Sequence, residues 1–372
     1  MSETPFGKSP GLLVRQSDPL NGGPRPELLL RGFHTPNDLF FVRNHGAVPE
    51  VAPAAYRLTV DGRVRRPLRL SLEEIRQLPR TSVTATLQCA GNRRLELMAH
   101  QPIHNELPWG TEAVSNAVWS GVPLREVLAA AEPRSRARHA AFTGLDETER
   151  HGHRFHFGGS IPMDKAMGPE VLLAYEMNGE PLPPVHGAPL RVVVPGYIGA
   201  RSVKWLSRIT LQEAPSDNYF QAKAYRLFPA HMGPETVDWE QGLMLGELPV
   251  NSVICAPEDG AIVPAGPAGR VRVAGWAMVG GGRQVARVEV STDGGRTWAV
   301  AALDPERPGQ PEDTRWAWRF WEAELDLPPG SHEVVCRAWD SAAQTQPEHP
   351  AQVWNFKGYA NNAWHRVRLT AA

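Results

Sequence analysis

Strict alternation of apolar and polar positions runs through Ser82-Val-Thr-Ala-Thr-Leu-Gln-Cys89, which puts Val83, Ala85, Leu87 and Cys89 on one face of a predicted strand. Two other stretches, Val171-Leu-Leu-Ala-Tyr-Glu-Met177 and Leu190-Arg-Val-Val-Val194, are apolar almost throughout and predict buried strands, the first closing in an Asn178-Gly179 turn. Tyr56 to Val64 predicts a hairpin about Asp61-Gly62. A strand near 139–143 leads into a turn at Gly144-Leu-Asp146. Helical spacing is scarce. Ser71 and Glu74 form a capping box for a short helix from Leu72 to about Leu78, and Pro123 opens another whose apolar face is Leu124, Val127 and Leu128. From about residue 250 the pattern becomes short alternating runs between turn signals. These include a hairpin about Asp293-Gly294 and strands at Trp316–Trp321 and His332–Trp339, an antiparallel sandwich pattern.

Length supports this division, since 372 residues suit two domains. Residues 1–37, rich in proline and glycine and without periodicity, are expected to form an extended arm, with a first domain over 38–248 and a second over 249–372. The 34 glycines and 35 prolines favour turns and sheet. A net charge of −1 gives no support to nucleic-acid or anionic-membrane binding, so affinity for anions must come from local clusters. No apolar run is long enough for a membrane span. The N-terminus has neither an apolar core nor twin arginines, so a cytoplasmic location is expected, or a periplasmic one if a leader has been removed.

Candidate chemistry centres on Leu87-Gln-Cys-Ala-Gly-Asn-Arg-Arg94. Fixed positive charge beside a thiol favours the thiolate, which binds soft metals or attacks electrophiles, although a lone cysteine at a strand end is commonly just a small buried hydrophobe. Arg43, Asn44 and His45 follow a short apolar strand, where a loop would expose all three. Arg191 and the stretch Gly196-Tyr-Ile-Gly-Ala-Arg-Ser-Val-Lys204 interleave cations with glycines, as a phosphate cradle does, but a Walker spacing is absent. His151-Gly-His-Arg-Phe-His156 fits an exposed hairpin better than a metal site. No Cys-x-x-Cys-His motif is present, so no covalently attached haem is expected.

Five motifs together resemble the sulfite oxidase family: Phe41-Val-Arg-Asn-His45, the Cys89 motif, His186-Gly-Ala-Pro-Leu-Arg191, Gly199 to Trp205, and the tryptophan-rich second domain, which holds eight of the twelve tryptophans. The resemblance runs from about residue 35 to the C-terminus. It implies an α+β molybdopterin-binding domain (the sulfite oxidase fold) followed by an all-β immunoglobulin-like sandwich that forms a homodimer interface. On that resemblance Cys89 is the single protein ligand of molybdenum. Phe41, Val42, Arg43, Asn44, His45, Asp146, His186, Arg191, Ser202, Val203 and Lys204 hold the pterin and its phosphate. Arg43, Arg94, Trp109, Tyr225 and Lys357 surround substrate. Two positions depart from the family pattern: Ala224, where an acidic residue is frequent, and Lys357, where arginine is frequent and whose ammonium lacks a planar fork. Cys255 and Cys336 flank Trp276 as the bridged pair of an immunoglobulin domain does, yet two reduced core cysteines are expected.

The implied activity is oxidation of sulfite to sulfate by oxygen-atom transfer, with electrons passed to a separate cytochrome or to oxygen. Three rivals stand beside it. A nitrate-reductase-type molybdenum domain shares the cysteine motif. A cysteine hydrolase would pair Cys89 with His45 or His104 and need no metal. A cofactor-free interaction protein would use the second domain alone.

Overall fold

The computed structural model describes residues 4–264, 270–304 and 309–372. Thr81–Gln88 pairs antiparallel with Val114–Pro123 along its whole length, from Thr81 opposite Gly121 to Gln88 opposite Val114. Leu172–Met177 lies on the far side of Val114–Pro123 and carries Glu180–Pro181 and Arg191–Val193. This five-stranded sheet brings Cys89 and Arg191 to the same region of the domain. A second five-stranded sheet runs Leu68–Ser71, Arg57–Gly62, Leu206–Gln212, His139–Arg150, His153–Pro162. Leu206–Gln212 is parallel to Arg57–Gly62 and antiparallel to His139–Arg150. Helices are few and short, Leu124–Ala131 being buried through Leu124, Val127, Leu128 and Ala131 as its spacing predicts. The Ser71–Glu74 capping box is present, and its helix spans Leu72–Arg76. Among the described residues no helix is long and apolar enough to cross a membrane.

Several local expectations are corrected. The arm over residues 1–37 is not merely extended: Leu12–Gln16 and Asn21–Pro24 form a hairpin, and the bridge from Gly22 to Val42 ties it to the first domain. The Arg57–Gly62 strand turns back after residue 62 rather than about Asp61-Gly62, because Arg57 pairs with Ser71 and Val60 with Leu68. Asp146 sits within the long strand His139–Arg150, at a register shift between Thr143 and Glu147, not in a turn. The cysteine strand also buries both faces near its end, since Thr86 and Gln88 are as enclosed as Ala85 and Leu87. The histidine tract forms the expected hairpin, with its turn at His151-Gly152.

The C-terminal region is a sandwich of two sheets, Asn251–Ala256, Arg270–Met278, Arg319–Asp326, Ala302–Leu303 over Ala261–Val263, His365–Ala371, Gly330–Asp340, Val285–Ser291, Ala299–Val300. Cys255 and Cys336 are buried free thiols, and burial pushes Cys336 up to about 11. The two domains share apolar core: Val253, Trp276, Trp318 and Phe320 pack in one cluster with Phe33, Leu58 and Val114. Backbone and side-chain bonds join them as well, with Thr86 N donating to Trp316 O at 3.0 Å and Trp318 N to Thr86 Oγ1 at 2.8 Å.

Arg93 completes the junction. It is fully buried, donates twice to Glu96 at 2.7 Å, and donates to Asn251 Oδ1 at 2.8 Å, while its carbonyl accepts from Asn361 Nδ2 at 2.9 Å. Removing Arg93 leaves the buried Asn251 Oδ1 and the 28% exposed Glu96 without this donor. Arg93→Met is therefore expected to destabilise the protein by about 2 kcal/mol. Urea unfolding checks this, and a midpoint equal to wild type would remove Arg93 from the junction.

Candidate active site and cofactor pocket

Cys89 immediately follows Thr81–Gln88 and is fixed by its own backbone: Cys89 N donates to Ala113 O at 2.9 Å and Asn92 N to Cys89 O at 3.0 Å. Its sulfur accepts from Gly91 N at 3.4 Å. At Gly91 a Cβ would lie 2.4 Å from Arg94 Nη2 and would push the guanidinium from its place. Cys89 faces an inner cavity also lined by Phe41, Arg43, His45, Asp146, His186, Arg191, Ser202, Lys204 and Tyr225. Widely separated stretches thus converge on one space. Among the described residues no three His, Cys, Asp or Glu side chains gather as a metal set, so a metal on Cys89 would take its other donors from a ligand.

The far wall of the cavity is positive. Arg191 donates to His186 O at 2.9 Å and Ser202 O at 3.0 Å, with its guanidinium 4.8 Å over the Trp119 ring. Lys204 donates to Asn44 Oδ1 and to Val185 O, the latter at 3.1 Å. Burial, then the field of Arg191, holds Lys204 well below the usual lysine range; Asp146 opposes this, and Arg43 and Lys8 add to it. Asp146 is itself raised to about 6 by burial. One carboxylate among so many cations leaves an unmatched positive field. Asp146 Oδ1 and Trp109 Nε1 are buried without a hydrogen-bond partner among the described residues. A ligand that is anionic at one end and supplies soft donors to a Cys89-bound metal at the other fits this chemistry.

Towards the mouth, hydrogen bonding fixes protonation. His45 Nδ1 lies 3.1 Å from Arg43 Nη2 and 3.4 Å from Arg150 Nη2, both donors only. Nδ1 must therefore accept, Nε2 carries the proton, and the 2.8 Å contact with Tyr225 Oη is a donation from His45. Burial, reinforced by Arg43 and Arg150, holds His45 well below its ordinary value, consistent with a neutral ring. Tyr225 follows the π-helical turn Phe220–Ala224, and burial raises it above the usual phenol range. With its oxygen already accepting, its own proton remains available as a donor. Cys89 has no contact with His45 or His104 like that of a nucleophile and its base; His45 is committed elsewhere, and His104 lines the outer cavity.

The remaining expected residues fall into two groups. Lys357 lines the outer cavity with Arg43, Asn44 and His45. Arg94 lies beside it but is largely committed, donating from Nε to the carbonyls of Lys357 at 3.2 Å and Gly358 at 3.1 Å, and from Nη1 to Leu107 O at 2.8 Å. Trp109 is fully buried and packs in the apolar cluster that contains Cys89. Val42 and Val203 are core residues rather than cavity walls: Val42 packs with Leu20 and Val185, and Val203 joins the main core. Sequence reasoning missed Lys8, which is 4% exposed and whose Nζ donates to Asn37 O at 2.6 Å, Phe40 O at 2.8 Å and His186 Nε2 at 3.0 Å. It also missed Arg150, Glu106 and Tyr359, the last stacked on Tyr225 at 5.2 Å. None of these four stands in a motif, and only tertiary contact singles them out.

Comparisons with known proteins bear on this arrangement. A family model described as an oxidoreductase molybdopterin binding domain matches residues 45–220, and a Mo-co oxidoreductase dimerisation domain matches residues 243–372. The sulfite oxidase of Gallus gallus is 46% identical over 368 residues, covering 96% of this chain and 78% of that protein. An inducible nitrate reductase of Glycine max is 39% identical over 369 residues, covering 94% of this chain and 41% of that protein. The solved structure of the sulfane dehydrogenase SoxCD from Paracoccus pantotrophus superposes with a TM-score of 0.75 at 27% identity, covering 96% of this chain and 85% of that one. Two domain matches in the observed order, and close identity to a sulfite oxidase over nearly the whole chain, place the protein in the sulfite oxidase family of molybdopterin-binding oxidoreductases.

Proposed function

We propose that the protein oxidises sulfite to sulfate at a cysteine-ligated molybdenum-pterin centre. The observation that carries this reading is the convergence of one soft ligand, Cys89, and an under-compensated cation cluster on a single cavity. Cys89 would hold the metal. Arg191, Lys204, His186, Ser202 and Asp146 would hold the pterin and its phosphate, with Phe41, Asn44 and His45 closing the pocket. When bound, the molybdenum centre supplies two-electron oxygen-atom transfer to sulfur.

The chain's own groups bind and orient the substrate. Arg43 and Lys357 present charge at the mouth, and Arg94 adds the guanidinium face that is not committed to carbonyls. Tyr225, oriented by His45, offers its hydroxyl proton to a substrate oxygen. Trp109 keeps the Cys89 side apolar. Electrons then leave to a separate acceptor, a cytochrome or oxygen, and the C-terminal sandwich pairs the chain with a second copy. Identity is higher to the sulfite oxidase than to the nitrate reductase, 46% against 39%, which favours sulfite. Steady-state assays with each substrate separate the two.

Cys89→Ser replaces a soft ligand by a hard one and is expected to lower sulfite oxidation roughly 100-fold or more while the protein stays folded. Full activity would refute the central assignment. Tyr225→Phe removes one hydrogen bond to an anion and is expected to cost about tenfold in kcat/KM at unchanged molybdenum content. Equal turnover would take the hydroxyl out of the reaction. Lys8 supports His186 from behind, so Lys8→Met is expected to weaken cofactor retention about tenfold or more. Molybdenum per chain after dialysis reads this directly, and wild-type retention would reduce Lys8 to an anchor of the arm.

A further inference from the structure

A carboxylate stands among the cations of the mouth. Glu106 lies between the helix Arg94–His100 and the strand Val114–Pro123, next to Asn105, whose φ of 60° turns the chain at that point. Its Oε1 pairs with Lys357 Nζ, and its Oε2 lies 3.6 Å from Arg94 Nη2. The side chain is 14% exposed and lines the outer cavity with Arg43, His45 and Tyr359. Arg94 Nε and Nη1 are committed to main-chain carbonyls, so Nη2 is the terminal nitrogen left to face an anion, and Glu106 is what it faces. The ammonium of Lys357 is likewise directed at Glu106. Burial raises both Tyr225 and Tyr359, and the field of this carboxylate adds to the rise in each.

We propose that Glu106 is an internal counter-ion that occupies the oxyanion position between Lys357 and Arg94, so that substrate must displace it to bind. The inference rests on the reading of the site as a sulfite-binding mouth and adds a determinant of anion affinity to it. An incoming oxyanion exchanges one set of charge-assisted bonds for another, and the gain is smaller than at an open pair of cations. Glu106 thereby lowers affinity for substrate and for product alike, and it keeps Lys357 and Arg94 ordered when the mouth is empty of anion.

The test uses the cofactor-loaded protein and its Glu106→Gln and Glu106→Ala variants, with sulfate as the probe. Calorimetric titration is expected to give a sulfate dissociation constant about tenfold lower in both variants. The KM for sulfite is expected to fall in parallel. Sulfate affinity that is unchanged or weaker in variants melting at the wild-type temperature would overturn the proposal and leave Glu106 with no part in anion competition, only in ordering Lys357. If one variant melts early, the other decides. Should wild-type enzyme fail to oxidise sulfite at all, the proposed activity falls, whereas the sulfate titration still reads the role of Glu106.

Discussion

Positive charge buried faster than carboxylates can match it is the constraint around which this pocket is built. Burying an unpaired cation is costly, and main-chain carbonyls absorb that cost here. Arg191 is held by His186 O and Ser202 O, Lys204 by Val185 O, and Lys8 by Asn37 O and Phe40 O. Carbonyl dipoles stabilise a cation without cancelling its charge, so the cavity keeps its appetite for an anion. Desolvation brings Lys8 down to about 7, whereas Arg191, at about 9, stays charged at neutral pH. The strands that carry these residues are therefore positioned by the same bonds that make the pocket electropositive.

The C-terminal domain, which matches a family model described as a dimerisation domain, also lines the outer cavity. Its segment around Lys357 and Gly358 supplies the carbonyls that orient Arg94, Ala360 N donates to Ala90 O at 2.8 Å, and Tyr359 stacks on Tyr225. The Arg93 junction lies one residue away from Arg94. The C-terminal domain is thus coupled, through packed side chains and a few hydrogen bonds, to the geometry of the outer cavity. Glu106 sits where these two contributions meet, between an arginine from the first domain and a lysine from the second.

Protonation at the mouth follows from donors rather than from acidity alone. Two guanidinium groups facing one ring nitrogen of His45 leave it only an acceptor's role, which fixes the tautomer and in turn leaves Tyr225 a free donor. That chain of consequences joins Arg43 and Arg150 to the tyrosine hydroxyl through His45.

The sequence alone was enough to locate the cysteine strand, the Ser71 capping box, the Asn178-Gly179 turn and the Asp293-Gly294 hairpin of the sandwich, because each is set by spacing within a few residues. It also held the five motifs that mark the family. Only the tertiary structure decided which of those residues face the cavity. Val42 and Val203 lie inside matching segments yet pack into core, Val42 with Leu20 and Val185 and Val203 in the main cluster. Lys8 stands in a stretch without periodicity, and Glu106 in a loop without a motif. Both acquire their roles from partners 178 and 251 residues away, His186 and Lys357, contacts that no local pattern encodes. Short-range spacing fixes elements, whereas the balance of buried charge is settled only when distant segments meet.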